Sequence, residues 1–228
     1  MAKKIWLVGI GMGNRDTLTI GAWNILKNCD CLIGAQRMLD AFPELTCRRF
    51  AATAPEKIAA YLQEHPEFQT IGVVFSGDVG FYSGAKKLRS LFPEHLIEEC
   101  CGISTVAYLC AKLHTPWEDV RLVSAHGQAC NLAGEVRTHE KVFVLAGKAS
   151  AQDLCKELCR AGLGGVTVSV GERLSYPEEA ITTGPAERLS GQTFDPLSAL
   201  LIQNPRLCPM TLLHSACRMS GSSGETRR

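Results

Sequence analysis

Four short stretches carry the residues that could do chemistry. Gly9-Ile10-Gly11-Met12-Gly13, Ser76-Gly77-Asp78-Val79-Gly80-Phe81-Tyr82, Cys101-Gly102-Ile103-Ser104-Thr105 and Ser124-Ala125-His126-Gly127 each lie at or after the end of a strand candidate. Glycine tolerates positive φ and lets a ligand approach the backbone closely. Asp78 offers a carboxylate either to a cationic ligand group or as a cap for the helix that follows. The hydroxyls of Ser104 and Thr105 suit a helix N-cap or the binding of a ligand carboxylate at a helix start. His126 is a lone imidazole. These are residue types for cradling a ligand on backbone, and no triad of His126, Asp78 and Glu172 follows from them, so no catalytic side chain is assigned.

Two common nucleotide motifs fit poorly. A dinucleotide fingerprint needs Gly-x-Gly-x-x-Gly, and position 14 is Asn, which leaves the third glycine one residue early. A Walker A loop is excluded because no Gly-Lys-Ser/Thr follows. A nicotinamide oxidoreductase would also need an acidic residue closing the second strand to hold a ribose, whereas Asp30 precedes that strand.

The elements that must position these turns alternate. Strands are expected at Ile5–Gly9, Cys31–Ile33, Ile71–Phe75 and His95–Glu98, with helices over Leu18–Leu26, Glu56–Leu62, Tyr82–Leu91 and Ser104–Lys112. Ile71–Phe75 is uninterrupted and β-branched, as in a central parallel strand. Such βαβα order implies an α/β layer. Thr115-Pro116-Trp117 breaks the periodicity and marks a domain crossing. Beyond it come strands at Val120–Ser124, Lys141–Leu145, Val166–Val170, Ala180–Thr183 and Leu197–Ile202, and one amphipathic helix, Ala151–Cys159, closed by Gly162. The expected organisation is an N-terminal α/β domain over 1–115, a C-terminal domain with a more mixed sheet over 116–205, and a loose polar tail over 206–228.

Composition narrows the class. With 46% hydrophobic and 21% charged residues the chain is globular, and 24 Lys plus Arg against 23 Asp plus Glu give no cationic excess for nucleic acid. Its longest apolar stretches are far below the roughly 20 residues of a spanning helix. Lys3-Lys4 before Ile5-Trp6-Leu7-Val8 mimics the start of a secretory signal, but no small-residue cleavage site follows, so a first buried strand is the better reading. Eleven cysteines without an export signal imply reduced thiols in the cytoplasm. The close pairs Cys29/Cys31, Cys100/Cys101 and Cys155/Cys159 lack zinc-site spacing, so no metal is expected.

The order of the motifs is more specific than any one of them. Leu7-Val8-Gly9-Ile10-Gly11-Met12-Gly13-Asn14-Arg15-Asp16-Thr17-Leu18-Thr19 resembles the first motif of the tetrapyrrole methylases, V-G-x-G-P-G-x-x-x-x-L-T. Ser76–Tyr82 resembles their G-D-P loop and Cys101–Thr105 their P-G-x-S-S turn; Met12 and Val79 stand where proline is usual. Ser124–Gly127, Gly171-Glu172-Arg173-Leu174-Ser175-Tyr176-Pro177-Glu178-Glu179 and Leu197–Pro205 look like the branch that methylates carbon 5 of precorrin-7, or its cobalt form, in cobalamin biosynthesis.

The resemblance implies two α/β domains with a cleft between them, S-adenosylmethionine as cofactor, a precorrin or cobalt-precorrin substrate and a homodimer. Carried over by position, the cofactor would meet Gly77, Asp78, Val79, Phe81, Ser104 and Thr105, with Leu145, Ala146, Gly171 and Glu172 from the second domain. Gly9, Gly11, Gly13 and His126 would line the substrate. Arg15, Arg37 and Arg173 are candidate partners for its carboxylates. In some relatives a second methyltransferase acting at carbon 15 and decarboxylating is fused on; residues 206–228 are too short for it, so that activity is expected on a separate protein. Two other readings stay open: a family member acting at another ring carbon, and a non-catalytic nucleotide- or corrinoid-binding module.

Overall fold

A computed structural model describes residues 3–92, 96–125, 131–147 and 149–207. Contacts divide them into two units. One comprises the described residues as far as Tyr108 together with Leu174–Pro177; the other comprises the rest from Leu109 onward. The division falls inside a helix, several residues before the crossing expected at 115/116, and it assigns a short later segment to the first unit.

In the first unit the chain runs β1 (Lys4–Gly9), α1 (Ile20–Leu26), β2 (Cys31–Gly34), α2 (Gln36–Asp40), β3 (Arg48–Ala51), α3 (Pro55–Glu64), β4 (Thr70–Phe75), α4 (Ala85–Leu91), β5 (Leu96–Cys100) and α5 (Thr105–Lys112), the last continuing into the second unit. The sheet order is β3-β2-β4-β1-β5, and every pairing is parallel. All five strands therefore end on one edge, with the ends of β4, β1 and β5 side by side. Side chains alternate across β1. Ile5 and Leu7 pack into one apolar cluster with α3 and α4, while Val8 and Ile10 join another with Ala22 and Leu26 of α1. Burial on both faces accounts for the unbroken apolar runs of β1 and β4.

The second unit contains β6 (Arg121–Ser124), α6 (Leu132–Thr138), β7 (Lys141–Leu145), α7 (Ala151–Arg160), β8 (Thr167–Glu172), β9 (Ala180–Pro185), α8 (Ala186–Leu189) and β10 (Ser198–Gln203). Its sheet, β6-β7-β10-β8-β9, is mixed: β6 and β7 are parallel and the other pairs antiparallel. Val142, Val144, Val168, Val170, Leu200 and Ile202 face one core with Leu132, Val136, Leu154 and Leu158. Helix α7 starts at a capping box in which Ser150 Oγ accepts from Asp153 N (3.1 Å) and the Asp153 carboxylate accepts from Ser150 N (3.3 Å). Gly162, at φ +75°, follows its end, where sequence places the stop.

Several boundaries differ from the sequence expectations for local reasons. The first helix starts at Ile20, not Leu18, because Thr19 caps it by accepting from Ala22 N (3.1 Å); a 3-10 turn over Arg15–Thr17 precedes it. The helix expected from Tyr82 starts at Ala85, since Tyr82 sits at φ +49°, outside helical space. The short elements α2, β3, α6 and α8 carry little periodic signal; β3 is an edge strand whose residues are all exposed or half-buried. Arg206 and Leu207, expected in the tail, close a 3-10 turn, while His95 and residues 208–228 lie outside the described residues. Eight cysteines are described, all free. Burial pushes the thiols of Cys29 up to about 12 and of Cys31 and Cys155 up to about 11, so they are neutral packing groups. Among the described residues, no helix is long and apolar enough to cross a membrane, and no group of three or more His, Cys, Asp or Glu is placed to hold a metal ion.

Lys141 is buried, and its ammonium donates to Asp119 Oδ1 (2.7 Å) and to Pro116 O (3.3 Å). That hydrogen bond holds the Asp119 carboxyl below its ordinary value. A depressed carboxyl contributes stability above its unfolded pKa, near 4, and loses it as pH falls through the lower folded value. Asp119→Asn is expected to cost about 1 kcal/mol at neutral pH, between the exposed and buried ion-pair ranges. It should also flatten the acid limb of stability, measured by urea unfolding between about pH 6 and about pH 2.5.

Candidate active site

The turns after β1, β4 and β5 are joined to one another by backbone. Ile10 N donates to Phe75 O (2.9 Å), and Gly11 and Gly77 exchange hydrogen bonds, Gly11 N to Gly77 O at 3.1 Å and Gly77 N to Gly11 O at 2.6 Å. Both glycines have positive φ, +64° and +73°. The third turn sits against the other two so tightly that a Cβ on Gly9 would lie 2.7 Å from both Gly102 N and Gly77 O. A Cβ on Gly102 would meet the Gly77 carbonyl oxygen and lie 2.6 Å from the Gly9 carbonyl. Only glycine permits this approach.

Asp78 braces the same junction. Its Oδ1 accepts from Gly80 N (2.8 Å) and its Oδ2 from Gly102 N (2.9 Å), so one carboxylate closes its own turn and grips the next. It does not cap α4, whose N-cap residue is Gly84. Ser104 Oγ accepts from Ala107 N (3.4 Å), the capping role, and Thr105 opens α5 beside Gly77, whose Cβ would lie 3.7 Å from the Thr105 hydroxyl. Desolvation raises the Cys100 thiol, and it stays protonated next to this turn.

A second layer of fixing comes from Asn14, Thr17 and the Leu174–Pro177 segment of the first unit. Met12 N donates to the buried Thr17 hydroxyl (2.9 Å), which donates to Asn14 Oδ1 (2.9 Å). The Asn14 amide donates to both the carbonyl and the hydroxyl of Ser175, a residue 161 positions later. The Tyr176 hydroxyl stands over Gly13, where a Cβ would lie 3.0 Å from it, and accepts from Arg37 Nη1 (3.0 Å). Ser175 reaches this position at φ +70°.

In the second unit, Leu145 and Gly171 flank Ala199 in one row of the sheet, and Glu172 pairs with Ser198. Ala146 N donates to Ser198 O (3.3 Å), so the Leu145–Ala146 and Gly171–Glu172 ends share one sheet edge. Glu172 Oε1 accepts from Asp195 N (2.7 Å). Ser198 Oγ is buried with no hydrogen-bond partner among the described residues.

The structure thus brings Gly9, Gly11, Gly13, Gly77, Asp78, Val79, Phe81, Ser104 and Thr105 to one sheet edge, and Leu145, Ala146, Gly171 and Glu172 to an edge of the second sheet. His126 lies outside the described residues. Asp30 stands before β2, as sequence places it, and its carboxylate accepts from Gln69 N (2.9 Å) and Thr70 N (2.8 Å). Sequence reasoning assigns no role to Asn14, Thr17, Ser175, Tyr176 or Ser198. The Asn14-x-x-Thr17 capping spacing was a readable signal for the first two; the others depend on contacts distant in sequence.

A parallel sheet carrying three glycine turns on its C-terminal edge is followed in the chain by a mixed-sheet unit. Residues 4–190 match the family model of the Tetrapyrrole (Corrin/Porphyrin) Methylases, and the chain belongs to that family. It is 28% identical over 207 residues to a probable cobalt-precorrin-7 C(5)-methyltransferase of Methanocaldococcus jannaschii, covering 87% of this chain and 97% of that protein. It is also 28% identical to a probable cobalt-factor III C(17)-methyltransferase of Methanothermobacter thermautotrophicus, but over 53% of this chain and 36% of that protein. Among solved structures, the fold is similar to the precorrin-6Y methylase of Archaeoglobus fulgidus (TM-score 0.69, 19% identity, 90% of this chain and 100% of that one). It is likewise similar to the uroporphyrin-III C-methyl transferase of Thermus thermophilus complexed with S-adenosyl homocysteine (TM-score 0.73, 18% identity, 88% and 92%).

Gly102→Ala sets a Cβ against two backbone carbonyls that cannot rotate away, whereas a Cβ at Gly165 meets nothing within 4 Å. Gly102→Ala should destabilise the protein by about 2 kcal/mol or more, in the range of overpacking. Gly165→Ala, the control, should change stability by under about 0.5 kcal/mol. Urea unfolding of the two variants checks both values.

Proposed function

We propose that the chain transfers a methyl group from S-adenosylmethionine to carbon 5 of precorrin-7, or its cobalt form, in cobalamin biosynthesis. The observation that supports the position is the match over 97% of the probable cobalt-precorrin-7 C(5)-methyltransferase of M. jannaschii, against a match over 36% of the probable C(17)-methyltransferase. The residues present fit the donor. Gly77–Phe81 and Thr105 offer backbone and hydroxyl groups on the first sheet's edge, and the buried Ser198 hydroxyl near Ala146 and Glu172, without a partner among the described residues, is a spare polar group on the second.

When bound, the donor supplies an electrophilic methyl carbon on a cationic sulfur, and the electron-rich ring carbon supplies the electron pair. The chain's own part is orientation, worth on the order of 7–11 kcal/mol for well-aligned reactants. Gly9, Gly11 and Gly13 present substrate-facing backbone that the Gly11–Gly77 exchange and the Asn14–Thr17 network keep from moving. Asp78 holds the donor turn to the third turn through Gly102 N. The protonated Cys100 thiol is a poor competitor for the methyl group.

Incubation with methyl-¹³C-labelled S-adenosylmethionine and cobalt-precorrin-7 should yield a product whose label NMR locates on carbon 5. Label on another ring carbon would reassign the position. Donor binding without transfer to either the cobalt or the metal-free substrate would make the protein a binding module. Ser198→Ala should weaken S-adenosylhomocysteine binding about three- to tenfold by calorimetry, the loss of one hydrogen bond. It should leave the unfolding midpoint unchanged or raised, because the deleted hydroxyl has no partner among the described residues.

A further inference from the structure

The three arginines that sequence marks for an anionic ligand have different fates. Arg15 Nη1 lies 2.8 Å from Glu44 Oε1 and its guanidinium is 3.7 Å from the Trp23 ring centre. Arg173 Nε lies 2.7 Å from Asp195 Oδ2. Both are neutralised within the chain. Arg37 is exposed, donates to the neutral Tyr176 hydroxyl at 3.0 Å, and has no carboxylate within 4 Å among the described residues. Asp40, three residues on, accepts from Gln36 instead (2.7 Å).

The pairing orients a proton. Because the Tyr176 oxygen accepts from Arg37, its single O–H is directed elsewhere, as a donor. Arg37 and Tyr176 together make an all-donor, cationic pair, which complements a carboxylate and nothing apolar or cationic. The pair also stands at the first glycine turn: Tyr176 touches Gly13, and Ser175 beside it is pinned by Asn14.

We infer that Arg37 and Tyr176 form a seat for one peripheral carboxylate of the tetrapyrrole and so fix which way round the macrocycle lies on the first turn. This rests on the proposed methylase reading and adds a substrate-orienting site to it. Kinetics with cobalt-precorrin-7 and titration with S-adenosylhomocysteine, run on the wild type and on Arg37→Gln, Arg37→Lys and Tyr176→Phe, test it. Arg37→Gln should raise KM about tenfold or more, and Tyr176→Phe about threefold, the scale of a charged and a neutral hydrogen bond. Arg37→Lys should fall between Arg37→Gln and the wild type. The losses should appear in KM rather than kcat, shrink as salt is raised, and leave S-adenosylhomocysteine affinity and the unfolding midpoint alone. Wild-type KM in Arg37→Gln, with the wild type methylating normally, would overturn the seat and leave the methylase reading standing. A raised KM matched by an equal loss of S-adenosylhomocysteine binding or of stability would make the pair structural and also overturn it. A wild type that methylates no tetrapyrrole would remove both.

Discussion

The structure of the first unit depends on a contact that only backbone can make. Three neighbouring parallel strands end on one edge, and the turns that follow them touch with no side chain between. Gly11 and Gly77 exchange two hydrogen bonds, and Gly102 packs on the carbonyls of both Gly9 and Gly77. Donors and acceptors left over at strand ends would otherwise need water or ligand. Here part of that set is satisfied between the turns, which makes a rigid shelf of peptide groups. Asp78 extends the locking by joining the second turn to the third through two backbone N–H groups.

This rigidity suits a reaction in which the two substrates bring all the reactive groups. A methylase of a carbon centre needs alignment, exclusion of water and absence of stray nucleophiles more than it needs an activated side chain. Two titratable groups around the turns fit that requirement. Asp78 is occupied by amides and burial raises the Cys100 thiol, while Cys101 in the third turn is an exposed free thiol. Arg15 and Arg173 are likewise committed to carboxylates within the chain, whereas Arg37 donates to a neutral hydroxyl.

Much of this was legible in sequence and some was not. The apolar runs of β1 and β4 and the glycines after them identify the parallel edge, because strand burial and turn chemistry are local. The same holds for Gly162 after the end of α7. Edge strand β3 was not legible: Arg48-Arg49-Phe50-Ala51 has no alternation because neither of its faces is deeply buried. The Ser175–Tyr176 contact with Asn14 and Arg37 was not legible either, since it spans more than a hundred residues and joins side chains of ordinary type. Asp78 was visible as important but ambiguous; that it holds a neighbouring turn rather than a helix start depends on strand order, which periodicity does not encode. Ser198 stands out only once its neighbours on β7 and β8 are known.

Backbone amide NMR of the protein titrated with S-adenosylhomocysteine tests the central claim most directly, because the shelf is made of amides. The account predicts saturable shift changes confined to Gly77–Phe81 and Thr105 in the first unit and to Leu145–Ala146, Gly171–Glu172 and Ser198 in the second. Saturable binding that leaves those amides unmoved would contradict it.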